Sequence, residues 1–340
     1  MQTVSDRYSR QIVLPVIGDR GQRRLLESTV LVVGCGALGT VTATQLVRAG
    51  VGRVRIVDRD FIEYHNLQRQ VLFDEDDVQN QIPKAKAAER HLRKVNSSVE
   101  IEGIVEDVNY TNVQRLVQGV DLIVDGLDNL ETRYLINDAA LKYGIPWVYG
   151  AAIASHGMTL SILPGETPCL RCIFPHLPEP GSTLTCDTAG VISAAPFIIA
   201  SLQFVEAVKI LTGARDQVNR TLTVMDVWDG TTYHLEVERS ATCPTCQGMY
   251  EFLQAQSGTK TASLCGQNSV QVLNSKAGRL SFSEMARRLE PLGTVSYNDF
   301  MLRFAADGYE MVVFPDGRAI VKGTSDQATA RGLYAKYVGT

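Results

Sequence analysis

"TVLVVGCGALGTVTATQLVRAG", Thr29 to Gly50, decides the fold. A short β-branched run closes on glycines and gives way at once to a helix-forming stretch that stops at Gly50. Gly34 and Gly36 permit a tight turn and a close backbone approach, and Gly39 lets the helix pack on the strand. The first N–H groups of such a helix face an anion. The next strand, in "RVRIVDRD", ends at Asp58, where a carboxylate can accept from ribose hydroxyls. Glycine turns also serve packing, so the glycines alone prove little; strand, glycines, helix and acid in register specify a nucleotide site.

Outward from this unit the alternation continues. "PKAKAAERHLRKVN" is a helix with Pro83 in its first turn. "VEIEGIVED" is the third strand, "NVQRLVQG" a short helix, and "DLIVDGLDN" a strand buried on both faces. "ETRYLINDAALKYG" and "IPWVYGAAIA" add a helix and a strand. Strands alternating with helices predict an α/β fold, a doubly wound Rossmann-like, mostly parallel sheet. After Gly157 the texture changes. "MTLSILPG" reads as a strand, Pro175 to Gly190 as a Pro/Gly-rich loop, and Ser193 to Leu211 as a long apolar helix. "TLTVMDVW" and "TYHLEVE" then continue the sheet as antiparallel strands. Residues 1–250 are thus expected to form the main domain, 251–264 a linker, and 265–340 a small C-terminal α+β domain with a hairpin across "FPDG".

Composition sets the limits. The chain has 340 residues, 45% hydrophobic and 21% charged, with a net charge of −4. That is ordinary for a globular protein and argues against nucleic acid or an anionic membrane as partner. The N-terminus has no signal-peptide pattern, and no run reaches membrane-spanning length, so a cytoplasmic address is the default expectation.

The polar residues around the glycines say which nucleotide. A dinucleotide asks for little beyond helix amides. A triphosphate under attack develops more charge and needs cations and a metal at the reacting phosphorus. "RIVDRDFIEYHNLQRQ", Arg55 to Gln70, supplies Asn66 and Arg69; Lys84 opens the next helix; Asp128 ends the fourth strand and can hold Mg2+. Either cation alone reads as an ordinary surface charge. The whole set at the carboxyl ends of parallel strands reads as an ATP cleft.

Of seven cysteines, four form two pairs, "CLRC" (Cys169, Cys172) and "CPTC" (Cys243, Cys246). Two such pairs complete a tetrahedral Zn2+ site without an open position, a structural metal that ties the end of the main domain to its middle. A redox pair is the rival reading, but neither pair begins a helix after a strand. For Cys186, in the Pro/Gly-rich loop, two readings stand: a small buried hydrophobe, or a thiol that reaches the active-site mouth. Cys35 packs in the phosphate loop, and nothing assigns chemistry to Cys265. The histidines are scattered and support no hydrolase triad.

"RYSRQ", "GCGALG", "VDRD", "NLQRQ", "PKA", "DGLDN", "CLRC", "TCDTAG" and "CPTC" resemble, in this order, the ThiF/MoeB/HesA group of ubiquitin-activating-like adenylyltransferases. The match runs over roughly residues 5–250; the terminal unit resembles the extension of some longer bacterial ThiF proteins. The resemblance implies that ATP and Mg2+ activate the C-terminal glycine of a small ubiquitin-like sulfur-carrier protein ending in Gly-Gly, as an acyl-adenylate for sulfur transfer. It implies that Asp58 holds the ribose, that Gly34, Gly36, Ala37 and Gly39 line the phosphates, and that Asn66, Arg69 and Lys84 contact them. Asp128 would hold Mg2+ with Asn129 beside it, and Arg10 would reach the ATP of a partner subunit, making a homodimer. Cys186 matches the cysteine that takes the acyl or sulfur group, with a cysteine desulfurase as sulfur donor. Where the family often has another glycine this chain has Ala37, whose N–H still serves. The implied pathway is thiamine thiazole synthesis with a ThiS-type carrier; a MoaD-type carrier of molybdopterin synthesis is the alternative. An NAD-dependent oxidoreductase on the same fold, a non-catalytic scaffold and an adenylating enzyme for a short peptide are the other readings. The first of these leaves "NLQRQ" and Asp128 without a purpose.

Overall fold

The computed structural model describes residues 6–176, 189–254, 261–264, 268–273 and 280–338. Cys186 and Cys265 lie outside the described residues. The chain divides into two compact units, one carrying the described residues up to 254 and the other those from 261 onward.

The first unit is built on an eight-stranded sheet of order β3-β2-β1-β4-β5-β6-β7-β8. β1 (Thr29–Val33), β2 (Arg53–Val57), β3 (Glu100–Ile104), β4 (Leu122–Asp125) and β5 (Trp147–Ile153) run parallel. β6 (His156–Ile162), β7 (Leu222–Asp226) and β8 (Thr231–Leu235) continue it antiparallel. β2 and β3, toward the sheet edge, are only partly covered and carry charged residues, whereas β1, β4 and the first half of β5 are buried on both faces and read as unbroken apolar runs. Alternation shares them between two cores: Leu31 and Val33 face one, Val30 and Val32 the other.

Helices cover both faces. In chain order they are α1 (Ser9–Ile12), α2 (Gly18–Glu27), α3 (Ala37–Ala49), α4 (Glu75–Gln79), α5 (Lys84–Val95), α6 (Val113–Leu116), α7 (Leu130–Tyr143), α8 (Leu170–Ile173) and α9 (Ala194–Thr212). Side chains of α3, α5 and α9 fill one core, and those of α6, α7 and α8 the other. α9 is long and apolar enough by composition to cross a membrane. Here it packs along α3, β5 and β6, and buries Gln203 and Glu206.

The N-terminal segment is pinned by two side chains of "RYSRQ". The Tyr8 ring lies over Gly50, where a Cβ would stand 2.4 Å from the ring. Asn96 donates to the Tyr8 hydroxyl at 2.8 Å, and Gln11 donates to the Ala49 carbonyl at 3.0 Å. Arg10 is left exposed beside the exposed Val13, Leu14 and Val16.

The second unit is a six-stranded antiparallel sheet of order β11-β12-β13-β14-β10-β9. Its strands are β9 (Thr261–Leu264), β10 (Ser269–Val272), β11 (Thr294–Tyr297), β12 (Leu302–Ala306), β13 (Tyr309–Val313) and β14 (Ala319–Lys322). α10 (Phe282–Leu289) and α11 (Gln327–Tyr337) share one core with it, around Phe304, Met285 and Tyr334. The tight hairpin is at Asp307-Gly308, both with positive φ as a primed turn requires.

The linker expected over 251–264 is narrower than the sequence suggests. Phe252 is buried in the first unit, its N–H donating to Asp138 Oδ2 at 2.9 Å, and Thr261–Leu264 is a strand of the second sheet. Small polar residues flank both segments, so composition alone does not separate them from a loop.

Candidate active site

The turn after β1 is assembled from four glycines, one more than the sequence reading singled out. Gly34 has φ 90°, and a Cβ there would stand 2.5 Å from the Gly126 carbonyl oxygen. A Cβ on Gly39 would meet the Gly34 oxygen at 2.0 Å, and one on Gly126 the same oxygen at 2.4 Å. Gly126 belongs to "DGLDN" after β4, so the phosphate loop and the loop bearing Asp128 touch backbone to backbone. Gly126→Ala is therefore expected to push these loops apart. The overpacking costs about 1–3 kcal/mol, and ATP affinity should fall with it in isothermal titration; unchanged affinity would mean that the loops separate freely.

Asp58, at the end of β2, locks the phosphate loop. Its Oδ2 accepts from the Cys35 N–H at 2.6 Å and its Oδ1 from the Asp60 N–H at 2.8 Å. Burial raises its pKa, against the pull of Lys84. A carboxylate has lone pairs beyond these two bonds, which leaves acceptors for a ribose hydroxyl.

Lys84, at the first position of α5, is buried and pairs with Asp60 at 3.2 Å. Burial works against its charge, but Asp60, Asp58 and Asp128 outweigh it and hold its pKa above the ordinary lysine value. The same field places Lys84 and Asp128 in one electrostatic neighbourhood. Arg59 joins it: Asp107 at 2.6 Å and Asp60 at 3.6 Å keep that guanidinium charged despite its burial, with Asp128 adding to their pull. Neither Arg59 nor Asp60 was singled out from the sequence, although both stand in "VDRD".

The "NLQRQ" segment starts on the last residue of a 3-10 turn, Tyr64–Asn66. Asn66 is buried and its Oδ1 accepts from the Glu63 N–H at 3.1 Å, closing a reciprocal cap. Arg69 donates to the His65 carbonyl at 2.7 Å. Gln70 is buried; its Oε1 has no hydrogen-bond partner among the described residues, and its amide nitrogen lies 4.0 Å from where a Cβ on Gly36 would stand. A buried amide oxygen without a protein donor calls for a donor from water or ligand. Asp128 is exposed, and Asn129 beside it caps α7 by accepting from the Thr132 N–H at 2.9 Å.

The four paired cysteines come together. Cys169 Sγ lies 3.8 Å from Cys172, 3.5 Å from Cys243 and 3.6 Å from Cys246, with Cys172 and Cys246 3.6 Å apart. These separations are too long for disulfides, and they match the roughly 3.8 Å edge of a tetrahedron of thiolates around zinc. Two neighbouring residues of α7 hold the pairs in place. Asn137 Oδ1 accepts from the Leu170 N–H at 2.9 Å, and Asp138 Oδ1 from the Thr245 hydroxyl at 2.9 Å. Burial pushes the Asp138 carboxyl up to about 6.

The model of the ThiF family matches residues 8–245. This chain belongs to the ThiF family. The ThiF-family chain is 43% identical to the sulfur carrier protein ThiS adenylyltransferase of Bacillus subtilis, over 99% of its own length and 100% of that protein's. The second unit is therefore shared with that relative. The SAMP-activating enzyme E1 of Haloferax volcanii is 40% identical over 72% of this chain and 89% of its own. Among solved structures, E. coli MccB with ATP superposes with a TM-score of 0.61 at 23% identity, covering 71% of this chain and 74% of that one. At that identity the likeness concerns the fold.

Proposed function

We propose that this protein is an ATP-dependent adenylyltransferase that activates the C-terminal glycine carboxylate of a small ubiquitin-like sulfur-carrier protein, of ThiS type, for thiamine thiazole synthesis. One observation carries the reading. Asp58 follows β2 and Asp128 follows β4, the two strands that flank β1, and Lys84 shares their field, around a phosphate loop where a side chain on Gly34, Gly39 or Gly126 would run into backbone. This is where an open α/β sheet binds nucleotides.

The chemistry follows from these groups. N–H groups at the start of α3, Ala37 included, face the phosphates, and Asp58 receives the ribose. A carboxylate oxygen of the carrier tail attacks the α-phosphorus; the bond to the bridging oxygen breaks and pyrophosphate leaves. Lys84, kept charged by its acidic neighbours, offsets the charge that builds on the phosphates, and Arg69, Asn66 and Gln70 are further donors assigned to them. Mg2+ on Asp128 would supply further charge neutralisation when bound. Cys169, Cys172, Cys243 and Cys246 would hold Zn2+ in a structural role.

ATP–pyrophosphate exchange with a panel of Gly-Gly-terminated carriers tests the assignment. Exchange with a ThiS-type carrier is expected. Exchange only with a MoaD-type carrier would move the pathway to molybdopterin, and NADH binding without exchange would overturn adenylation.

The same reading makes the protein a homodimer in which Arg10 serves the partner's cleft, the apolar Val13, Leu14 and Val16 giving that exposed face a reason. Arg10→Ala and Asp128→Ala are then each inactive alone. After subunit exchange the mixture should recover roughly a quarter of normal turnover, because half of the mixed dimers' sites are intact. No recovery would place Arg10 outside the partner's site.

A further inference from the structure

β4 and β5 pair only through Ile123↔Trp147 and Val124↔Val148. At the last of these pairs and beyond it, the strands carry backbone carbonyls that must find donors elsewhere. Two buried side chains supply them. From α9, Gln203 Nε2 donates to the carbonyls of Asp125 at 2.9 Å and Val148 at 3.1 Å. From α7, on the other face, Arg133 Nη2 donates to the carbonyls of Leu127 at 2.6 Å and Gly150 at 2.8 Å. Arg133 Nε pairs with Asp125 Oδ2 at 3.0 Å, and Asp125 Oδ1 accepts from the Leu127 N–H at 2.8 Å. Gly150 is required, since a Cβ there would stand 2.4 Å from the Gln203 amide.

The loop from Asp125 to Asn129 is thereby held on both sides, and Asp128 is its exposed member. The ion pair beneath is fully buried, with Arg133 at 8% and Asp125 at 0% side-chain exposure. Apolar residues of similar volume usually stabilise such a place as well or better. What they cannot do is bridge Leu127, Gly150 and Asp125 in one plane, the geometry of a guanidinium fork.

We propose that Arg133 is a positioning residue for adenylation: it fixes the splayed ends of β4 and β5 and, through Leu127 and Asp125, aims Asp128 at the metal–nucleotide complex. This rests on the adenylation reading above. Buried as it is, Arg133 acts through the loop.

Arg133→Lys tests it, because lysine keeps a positive charge against Asp125 but loses the fork. ATP binding is measured by titration calorimetry with and without Mg2+, alongside kcat, KM and the unfolding temperature. The variant should fold, bind ATP in the absence of Mg2+ as the unmutated protein does, and lose about tenfold or more of the Mg2+-dependent gain in affinity. On an Asp128→Ala background the same change should have little further effect, since both act through one carboxylate. Unaltered Mg2+-dependent binding, or losses that add in full to those of Asp128→Ala, would overturn the proposal. Should Arg133→Lys fail to fold, Asp125→Asn with Arg133→Gln removes both charges together and is read by the same criteria. If the unmutated protein binds no ATP at all, the adenylation reading itself fails, a result separate from the variant's behaviour and fatal to both.

Discussion

Asp128→Ala is expected to leave the protein folded and to lower ATP–pyrophosphate exchange by a hundredfold or more. The first half follows from exposure. Asp128 stands at the surface of its loop, and among the described residues its side-chain hydrogen bond is from Asn129, at a long 3.4 Å. Deleting an exposed carboxylate with so little attached to it is worth at most a few tenths of a kcal/mol. The second half follows from what the carboxylate faces. One preorganised group at a developing charge contributes about 3 kcal/mol to the barrier, or two orders of magnitude in rate. Asp128→Asn separates charge from shape: it keeps the volume and should lose nearly as much. Normal exchange by folded Asp128→Ala protein would remove the residue from the mechanism.

The second large effect concerns the four cysteines. The segment around Cys243 and Cys246 crosses back to α7 and joins the core that contains Cys169, Tyr134 and Trp147. It is fastened there by Thr245 and the Phe252 N–H on Asp138, and by Arg171 on Glu251 at 3.0 Å. Zinc bound by four thiolates contributes about 10 kcal/mol in isolated small domains. Here the sheet has its own core, so loss of the metal should free the strap before the sheet. Cys172→Ser, or exhaustive chelation, is expected to lower the unfolding temperature by roughly 10 °C and to open residues 240–254 to proteolysis. Metal analysis of the unmutated protein should return one zinc per chain. Protein without zinc and with the same melting temperature would contradict a structural site.

How much of this was legible in the sequence depended on the range of the interactions. The glycine turn and Asp58 are local signals, and they led to the doubly wound, mostly parallel sheet; the order β3-β2-β1-β4-β5 of its parallel half comes from the structure. The cysteine pairs were readable because their spacing is a chemical pattern, though nothing local showed that Asn137 and Asp138 would fasten both pairs. Gly126 was hidden because "DGLDN" reads as a strand end, and only the close approach of Gly34 and Gly39 makes its missing side chain necessary. Arg133 and Gln203 look like ordinary helix residues. Gln203 reaches strand carbonyls 55 and 78 residues away, Arg133 bridges its own loop to Gly150 on the next strand, and hydrophobic periodicity says nothing about where a strand pair parts. Lys84 was read as a cation for phosphate, but its pairing with Asp60 comes from the fold of the segment between β2 and α5. In the second unit the hairpin expected across "FPDG" is present, joining β13 to β14 through Val313↔Ala319, and a tighter one that the sequence did not announce joins β12 to β13 at Asp307-Gly308.

The most direct measurement is the intact mass of a ThiS-type carrier after incubation with the protein, ATP and Mg2+. A carrier heavier by one adenylyl group, formed by the unmutated protein and not by Asp128→Ala, is the predicted result. A carrier of unchanged mass, with no pyrophosphate released, would contradict an adenylating cleft.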